Sequence, residues 1–267
     1  MTEVVAGHGD AAKTATFVVD LDGVLYIDDE GVPGAGEALR LLDDGGHRLV
    51  FVTNNSTKTA AMVAARIEER TGFAPDLASI VTSGQATGHY LRGRVARAFV
   101  VGSSGLAETL ADFGISTVAD WREADVVVVG LDVDLDYQRL AGAARAVRNG
   151  AAFVATNLDA TYPTPTGLDP GGGAMAAAIA VSSGVEPFVC GKPHEPIRVL
   201  VRTKVDTGPV WVVGDRPETD LAMAKAEGWG SVLVLSGVTT DVAEVPESFQ
   251  PDVVLESVAD LPQVLAP

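Results

Sequence analysis

The chain has 267 residues, with 19 Lys and Arg against 36 Asp and Glu, a formal net charge of −17. That length suits one large domain or two modest ones, and 47% hydrophobic with 21% charged residues is an ordinary globular composition. The acidic balance argues against a nucleic-acid partner or an anionic membrane surface, and one cysteine, Cys190, excludes an internal disulfide framework or a thiolate zinc cluster.

Residues 1–14 are small, polar and unpatterned, which reads as a flexible tail, and they lack the apolar core of a signal peptide. No apolar run reaches the roughly 18 residues of a membrane span, so a soluble, cytoplasmic protein is expected. From there on, apolar runs alternate with helical patterns. Strands are expected over Thr16–Asp20, Arg48–Thr53, Arg97–Gly102, Asp125–Gly130, Ala151–Thr156, Val189–Gly191, Val210–Gly214, Ser231–Leu235 and Asp252–Leu255. Most are continuous Val, Ile, Leu and Phe runs, the mark of parallel strands covered on both faces. Segments such as Gly36–Asp44, Ala60–Thr71, Ser104–Phe113, Tyr137–Asn149 and Thr219–Glu227 carry apolar residues at three- and four-residue spacing. This alternation predicts an α/β fold with a parallel sheet and right-handed crossovers. The stretch from Ser83 to Glu186 has its own strands and helices, and reads as a second unit inserted into the first.

The first strand delivers Asp20 and Asp22 at i and i+2, pointing the same way while the backbone is extended, and Gly23 allows a sharp turn. Two close carboxylates hold a divalent cation well, and one can act as a nucleophile while the other, protonated, is a general acid. A calcium loop wants Gly sixth and Glu twelfth, whereas here Gly comes fourth and position twelve is Gly31. The second strand runs into Thr53, Asn54, Asn55 and Ser56, whose donors, with a following helix start, suit a phosphoryl group. Helix capping by Asn55 or Ser56 is the alternative. The run Asp132-Val133-Asp134-Leu135-Asp136 reads as a solvated turn leading into a helix.

Farther on, Lys192 follows a short buried strand and can neutralise a bound phosphate, although a solvated surface Lys is the alternative. The stretch is no Walker A loop, because six residues separate Gly184 from Gly191 and Pro193 stands where Ser or Thr is required. Asp215 ends another apolar strand and Asp220 follows at a helix start, where carboxylates suit Mg²⁺ or cap a helix. Cys190 reads as a small buried hydrophobe.

Taken in order, DLDGVLY (20–26), FVTNNSTKT (51–59), VATNLDATYPTPTG (154–167), GKP (191–193), GDRPETD (214–220) and LVLSGVTT (233–240) resemble the haloacid dehalogenase-like superfamily of phosphohydrolases, in its NagD/p-nitrophenylphosphatase branch. The resemblance implies a Rossmann-like core over 15–82 and 187–267 with a large α/β cap inserted over 83–186. It implies that Asp20 is the nucleophile, that Asp22 is the general acid and base, and that Thr53 and Asn54 hold the phosphoryl oxygens beside Lys192. Mg²⁺ would be held by Asp20, the Asp22 carbonyl and Asp215, with Asp220 supporting the metal shell or Lys192. On the cap, Asn157 and Asp159 are the implied substrate contacts, and Pro170–Gly173 faces the core; in isolation Asn157 and Asp159 could equally stabilise a turn. The expected substrate is a small phosphate ester, glycerol phosphate first, with phosphoglycolate, sugar, nucleotide and pyridoxal phosphates as alternatives. Phosphoryl transfer between substrates and non-catalytic phosphate sensing are the competing readings, and pairing of two copies through the cap is the implied assembly.

Overall fold

Short β-rich runs with no polar face need cover on both sides, and the fold supplies it with two parallel sheets flanked by helices. The structure, a computed structural model, describes residues 14–164 and 167–265, so the expected tail over 1–14 lies outside the described residues apart from Thr14. The chain begins with β1 (Thr16–Val19), a hairpin of β2 (Tyr26–Ile27) and β3 (Glu30–Gly31), α1 (Ala35–Asp44), β4 (Arg48–Thr53), α2 (Ala60–Thr71) and β5 (Ile80–Thr82). Next come α3 (Ser83–Leu91), β6 (Arg97–Val101), α4 (Ser104–Asp112), β7 (Ser116–Thr117), β8 (Val126–Val129), α5 (Tyr137–Arg148) and β9 (Ala152–Ala155). A hairpin of β10 (Thr161–Thr164) and β11 (Gly167–Pro170) leads to α6 (Gly172–Ser183) and β12 (Phe188–Val189). The last elements are α7 (Glu195–Arg202), β13 (Val210–Gly214), α8 (Ala222–Glu227), β14 (Gly230–Val234) and β15 (Val253–Leu255).

The main sheet has the order β15-β14-β13-β1-β4-β5 with every pair parallel. Side chains alternate across it as a strand's period of two requires. Phe17, Val19, Leu49 and Phe51 pack on one face with Leu39 and Leu42 of α1 and Val63 and Ile67 of α2. Val18, Val50, Val52 and Val81 face the other way, onto Ile197 and Val201 of α7 and Met223 of α8. This second cluster continues through Ala86 of α3 and Leu106 and Leu110 of α4 to Ala98, Val126, Val128 and Val154 of the second sheet.

The second sheet has the order β12-β9-β8-β6-β7, again parallel. Its other face, with Phe99, Val101, Val127 and Val129, is covered by Ala143 and Val147 of α5 and Ile179 of α6. Because β12 pairs with β9, this sheet reaches Val189, past the boundary expected at 186. Capping differs from expectation as well. Thr59, rather than Asn55 or Ser56, caps α2, its hydroxyl accepting from the Met62 N–H. Among the described residues no helix is long and apolar enough to cross a membrane.

Candidate active site

Three neighbouring strands, β13, β1 and β4, end side by side, with Val19 in register with Val213 on one flank and Phe51 on the other. Chain order reverses at β1, and in open parallel sheets the crevice at such a reversal, beyond the carboxyl ends, is where ligands bind. Asp20 leaves β1, Thr53 closes β4 and Asp215 follows β13. These residues, with Asp22, Asn54, Asn157, Asp159 and Lys192, line one cleft of about 1020 Å³.

Lys192 stands at the centre. Its ammonium donates to Asp20 Oδ1 at 2.6 Å and to Asp220 Oδ1 at 2.7 Å, and all three side chains are buried. Burial opposes the charge on Lys192, yet the two carboxylates together raise its pKa above the ordinary value. Asp220 does not line the cleft. It sits on a wide helical turn over Pro217–Leu221, and its Oδ2 accepts from the Arg216 N–H and the Thr219 hydroxyl. A Cβ at Gly214 would collide with Asp220, so the strand must end in glycine for this carboxylate to fit.

Asp215 is 1% exposed; its Oδ2 accepts from the Val238 N–H at 2.7 Å, while Oδ1 has no hydrogen-bond partner. Burial, reinforced by the charge of Asp220, pushes its carboxyl up to about 6. Buried oxygens of Asp20, Asp215 and Asp220 lie within 4.8 Å of one another. An all-oxygen set with one orphaned carboxylate oxygen suits a small hard cation such as Mg²⁺. Both Asp220 oxygens are engaged, Oδ1 by Lys192 and Oδ2 by Arg216 and Thr219, whereas Lys192 takes only Oδ1 of Asp20, so direct ligation would fall to Asp20 and Asp215. The Asp22 carboxylate is not in this cluster, which leaves its backbone carbonyl as the donor implied by the resemblance. Burial raises the pKa of Asp20 well above the usual carboxylate range against the opposing pull of Lys192, and burial raises that of Asp22 as well, against Arg66.

Thr53 Oγ1 accepts from the Asn55 N–H at 3.0 Å, which leaves its own proton to donate into the cleft. The Asn54 side chain is engaged inside the protein, although the residue lines the cleft. Its Oδ1 accepts from the Lys192 N–H at 2.7 Å, and its Nδ2 donates to Asp159 Oδ1 at 3.1 Å. Asn157 lines the cleft while its Nδ2 donates to the Asn54 carbonyl at 2.8 Å and its Oδ1 accepts from the Asp159 N–H, the turn-stabilising arrangement given above as the alternative to a substrate contact. Asn54, Asn157 and the half-buried Asp159 therefore form a bracket that ties β4 to the loop after β9 and to the Lys192 turn. Asp159 also faces the cleft, and burial raises its pKa against the pull of Arg216.

Sequence reasoning missed four cations, Lys58, Arg66, Arg139 and Arg216, which line the same cleft. Lys58 and Arg216 lie inside the recognised strings 51–59 and 214–220 but were given no role there, while Arg66 projects from α2 and Arg139 from α5, where no local pattern marks them. The solvated turn expected over 132–136 is present, with Val133, Asp134 and Asp136 exposed and Asp136 capping α5; only Asp132 departs from it, being 5% exposed and paired with Arg139. Cys190 is fully buried, as expected of a small hydrophobe.

Two family models match the chain, a haloacid dehalogenase-like hydrolase over residues 17–116 and a related hydrolase over 189–261. A D-glycerol 3-phosphate phosphatase of Mycobacterium tuberculosis is 38% identical over 228 residues, 84% of this chain and 64% of that protein. The chain thus spans slightly under two thirds of that relative. An acid sugar phosphatase of Staphylococcus aureus is 35% identical over 255 residues, covering 92% of this chain and 97% of the relative. Among solved structures, a glycerol phosphate phosphatase from Mycobacterium tuberculosis in complex with magnesium superposes with a TM-score of 0.84 at 35% identity, over 94% of this chain and 77% of the other.

Proposed function

The chain belongs to the haloacid dehalogenase-like hydrolases, and from that membership we propose that it is a Mg²⁺-dependent phosphatase of small phosphate esters, working through an aspartyl phosphate on Asp20. The observation that carries this is the buried chain Asp220–Lys192–Asp20 set beside the orphaned Asp215 oxygen at the ends of three adjacent strands. Asp20 and Asp215, with the Asp22 carbonyl, would hold the metal, which supplies positive charge where carboxylate and phosphate dianion must meet.

In the first half-reaction an Asp20 carboxylate oxygen bonds to phosphorus as the ester P–O bond breaks. Asp22, whose burial favours its protonated form, gives its proton to the departing alkoxide. In the second, Asp22 takes a proton from water as the water oxygen bonds to phosphorus and the Asp20–phosphorus bond breaks, releasing phosphate. Lys192 neutralises charge throughout, and Thr53 donates its hydroxyl proton to a phosphoryl oxygen. Because the Asn54 amide is engaged, that residue's phosphoryl contact falls to its backbone N–H. General acid help is worth about 10²–10⁴ in rate, so most of the acceleration rests on positioning and electrostatics.

The second sheet, with its helices over about 83–189, would serve as the cap that covers the leaving group and limits water. A small hydroxylated ester is the favoured substrate, glycerol phosphate first, in line with the two relatives. The net charge of −17 supports a small-molecule partner over a nucleic acid or an anionic membrane. Phosphate release across a panel of small esters, with and without Mg²⁺, tests the reading. Asp20→Asn should abolish turnover, and beryllium fluoride should trap on Asp20. Hydrolysis that survives Asp20→Asn overturns it.

A further inference from the structure

The stretch 131–139 forms a wall of the cleft whose polar groups have no part in the phosphoryl chemistry. Asp132, with its side chain 4% exposed, accepts from Arg139 Nη1 at 2.5 Å through Oδ2 and from the Asp134 N–H at 3.1 Å through Oδ1. Arg139 is further fixed at its backbone, where its N–H donates to Asp136 Oδ1 at 2.7 Å. Both Arg139 and Asp134 line the cleft that contains Asp20 and Lys192. Among the described residues the Arg139 guanidinium has no partner besides Asp132, so Nε and Nη2 stay available. A buried carboxylate holding one edge of a guanidinium presents the other edge as a rigid fork of donors.

We propose that Arg139, oriented by the buried Asp132, is a specificity-determining residue that hydrogen-bonds the leaving group, with Asp134 as the accompanying acceptor, and that this wall selects hydroxyl-rich esters. The inference rests on the phosphatase reading above and names the side chains that would read the substrate. Charge decides the ligand class. The Arg139 cation is already matched by Asp132, and the exposed Asp134 carboxylate stands beside it, so a second anionic group would meet repulsion. A hydroxyl can accept from Arg139 and donate to Asp134 at once. At about 1020 Å³ the cleft leaves room for a sugar-sized group beyond the phosphoryl site. Asp132 is a positioning residue: it acts only through Arg139 and the Asp134 turn.

The test is steady-state kinetics of the full chain with Mg²⁺ on glycerol 3-phosphate, a hexose 6-phosphate, phosphoglycolate and the hydroxyl-free p-nitrophenyl phosphate. Arg139→Ala should raise KM for the two hydroxylated esters about tenfold, as expected for loss of a charged hydrogen bond, and leave p-nitrophenyl phosphate within about twofold. Arg139→Lys, which keeps a cation for Asp132 without the fork, should recover part of the loss. Retained turnover of p-nitrophenyl phosphate shows that Arg139→Ala is folded. The proposal is overturned by equal losses on all esters, by unchanged KM for the hydroxylated pair, or by a loss confined to phosphoglycolate, which would make Arg139 an anion reader. A parent protein that hydrolyses none of the four refutes the phosphatase reading itself, and this inference with it.

Discussion

Asp215 has one oxygen on the Val238 N–H and the other free, and its carboxyl is pushed up to about 6 by burial and by Asp220. Between the ordinary value of 3.8 and about 6 the folded metal-free chain keeps this proton and the unfolded chain releases it. Folding is therefore favoured as pH falls through that window and penalised in full above it. Burial acts in the same direction on Asp20, Asp22 and Asp159. Melting curves in chelator should thus rise from pH 7 to pH 5, with Asp215→Asn flattening the slope; an unchanged slope in the variant refutes the assignment. Lys192 makes the complementary case. Lys192→Met strands two buried carboxylates, which should cost about 3–5 kcal/mol of stability and roughly 10²–10³ in kcat. A variant as stable and as active as the parent at neutral pH would contradict that. At this scale the strand-end acids were legible, because an i, i+2 pair followed by glycine is a local pattern. The Asp132–Arg139 pair and the Asn54–Asn157 bracket were not, since their partners meet only through folding.

At the scale of elements, the site depends on turns as much as on strands. Gly23, at φ +83°, and Gly237 both pack against Asp215, and a Cβ at either would collide with its Oδ2. The turn after β1 and the loop after β14 therefore clamp the carboxylate from two sides. Gly237→Ala should displace Asp215 and raise the Mg²⁺ concentration for half-maximal activity by about tenfold or more, with KM for ester at saturating metal much less affected. Equal metal dependence in variant and parent would show that the loop yields. The main strands and α1, α2, α4 and α5 were readable from apolar runs and stripes. Strand β5 and helix α7 went unread as short elements, and others failed for identifiable reasons. Helix α6, GGAMAAAIAVSS, opens on glycines and is apolar nearly all round, so no stripe marks it. In α3, SGQATGHYL, small residues replace the stripe and the signal lies in the capping box of Thr82 and Gln85. The hairpin of β10 and β11 is exposed along β11 and has Pro163 in its sequence, so no alternating apolar face marks it. Thr219–Glu227 reads as one helix, yet it starts as a wide turn that swings Asp220 beneath Lys192.

Across the whole molecule, a chain of charge −17 gathers Asp20, Asp22, Asp159, Asp215 and Asp220 around one buried ammonium, with Lys58, Arg66 and Arg216 along the cleft. The two sheets share one continuous apolar cluster through α3 and α4, so the acids cannot relieve their repulsion by moving apart without exposing core. A cation that binds only the folded state therefore adds to global stability by mass action. At 100 times its dissociation constant it contributes about 2.7 kcal/mol. For a chain of this length that corresponds to a rise in Tm of about 5–10 °C. Differential scanning calorimetry in Mg²⁺ against chelator, at matched ionic strength in KCl, should give that rise for the parent. Asp215→Asn should lose most of it, because the orphaned oxygen is the ligand that the fold otherwise leaves unsatisfied. If KCl alone reproduces the shift, the stabilisation is general screening of a highly acidic surface, and the three-carboxylate cluster is not where magnesium binds.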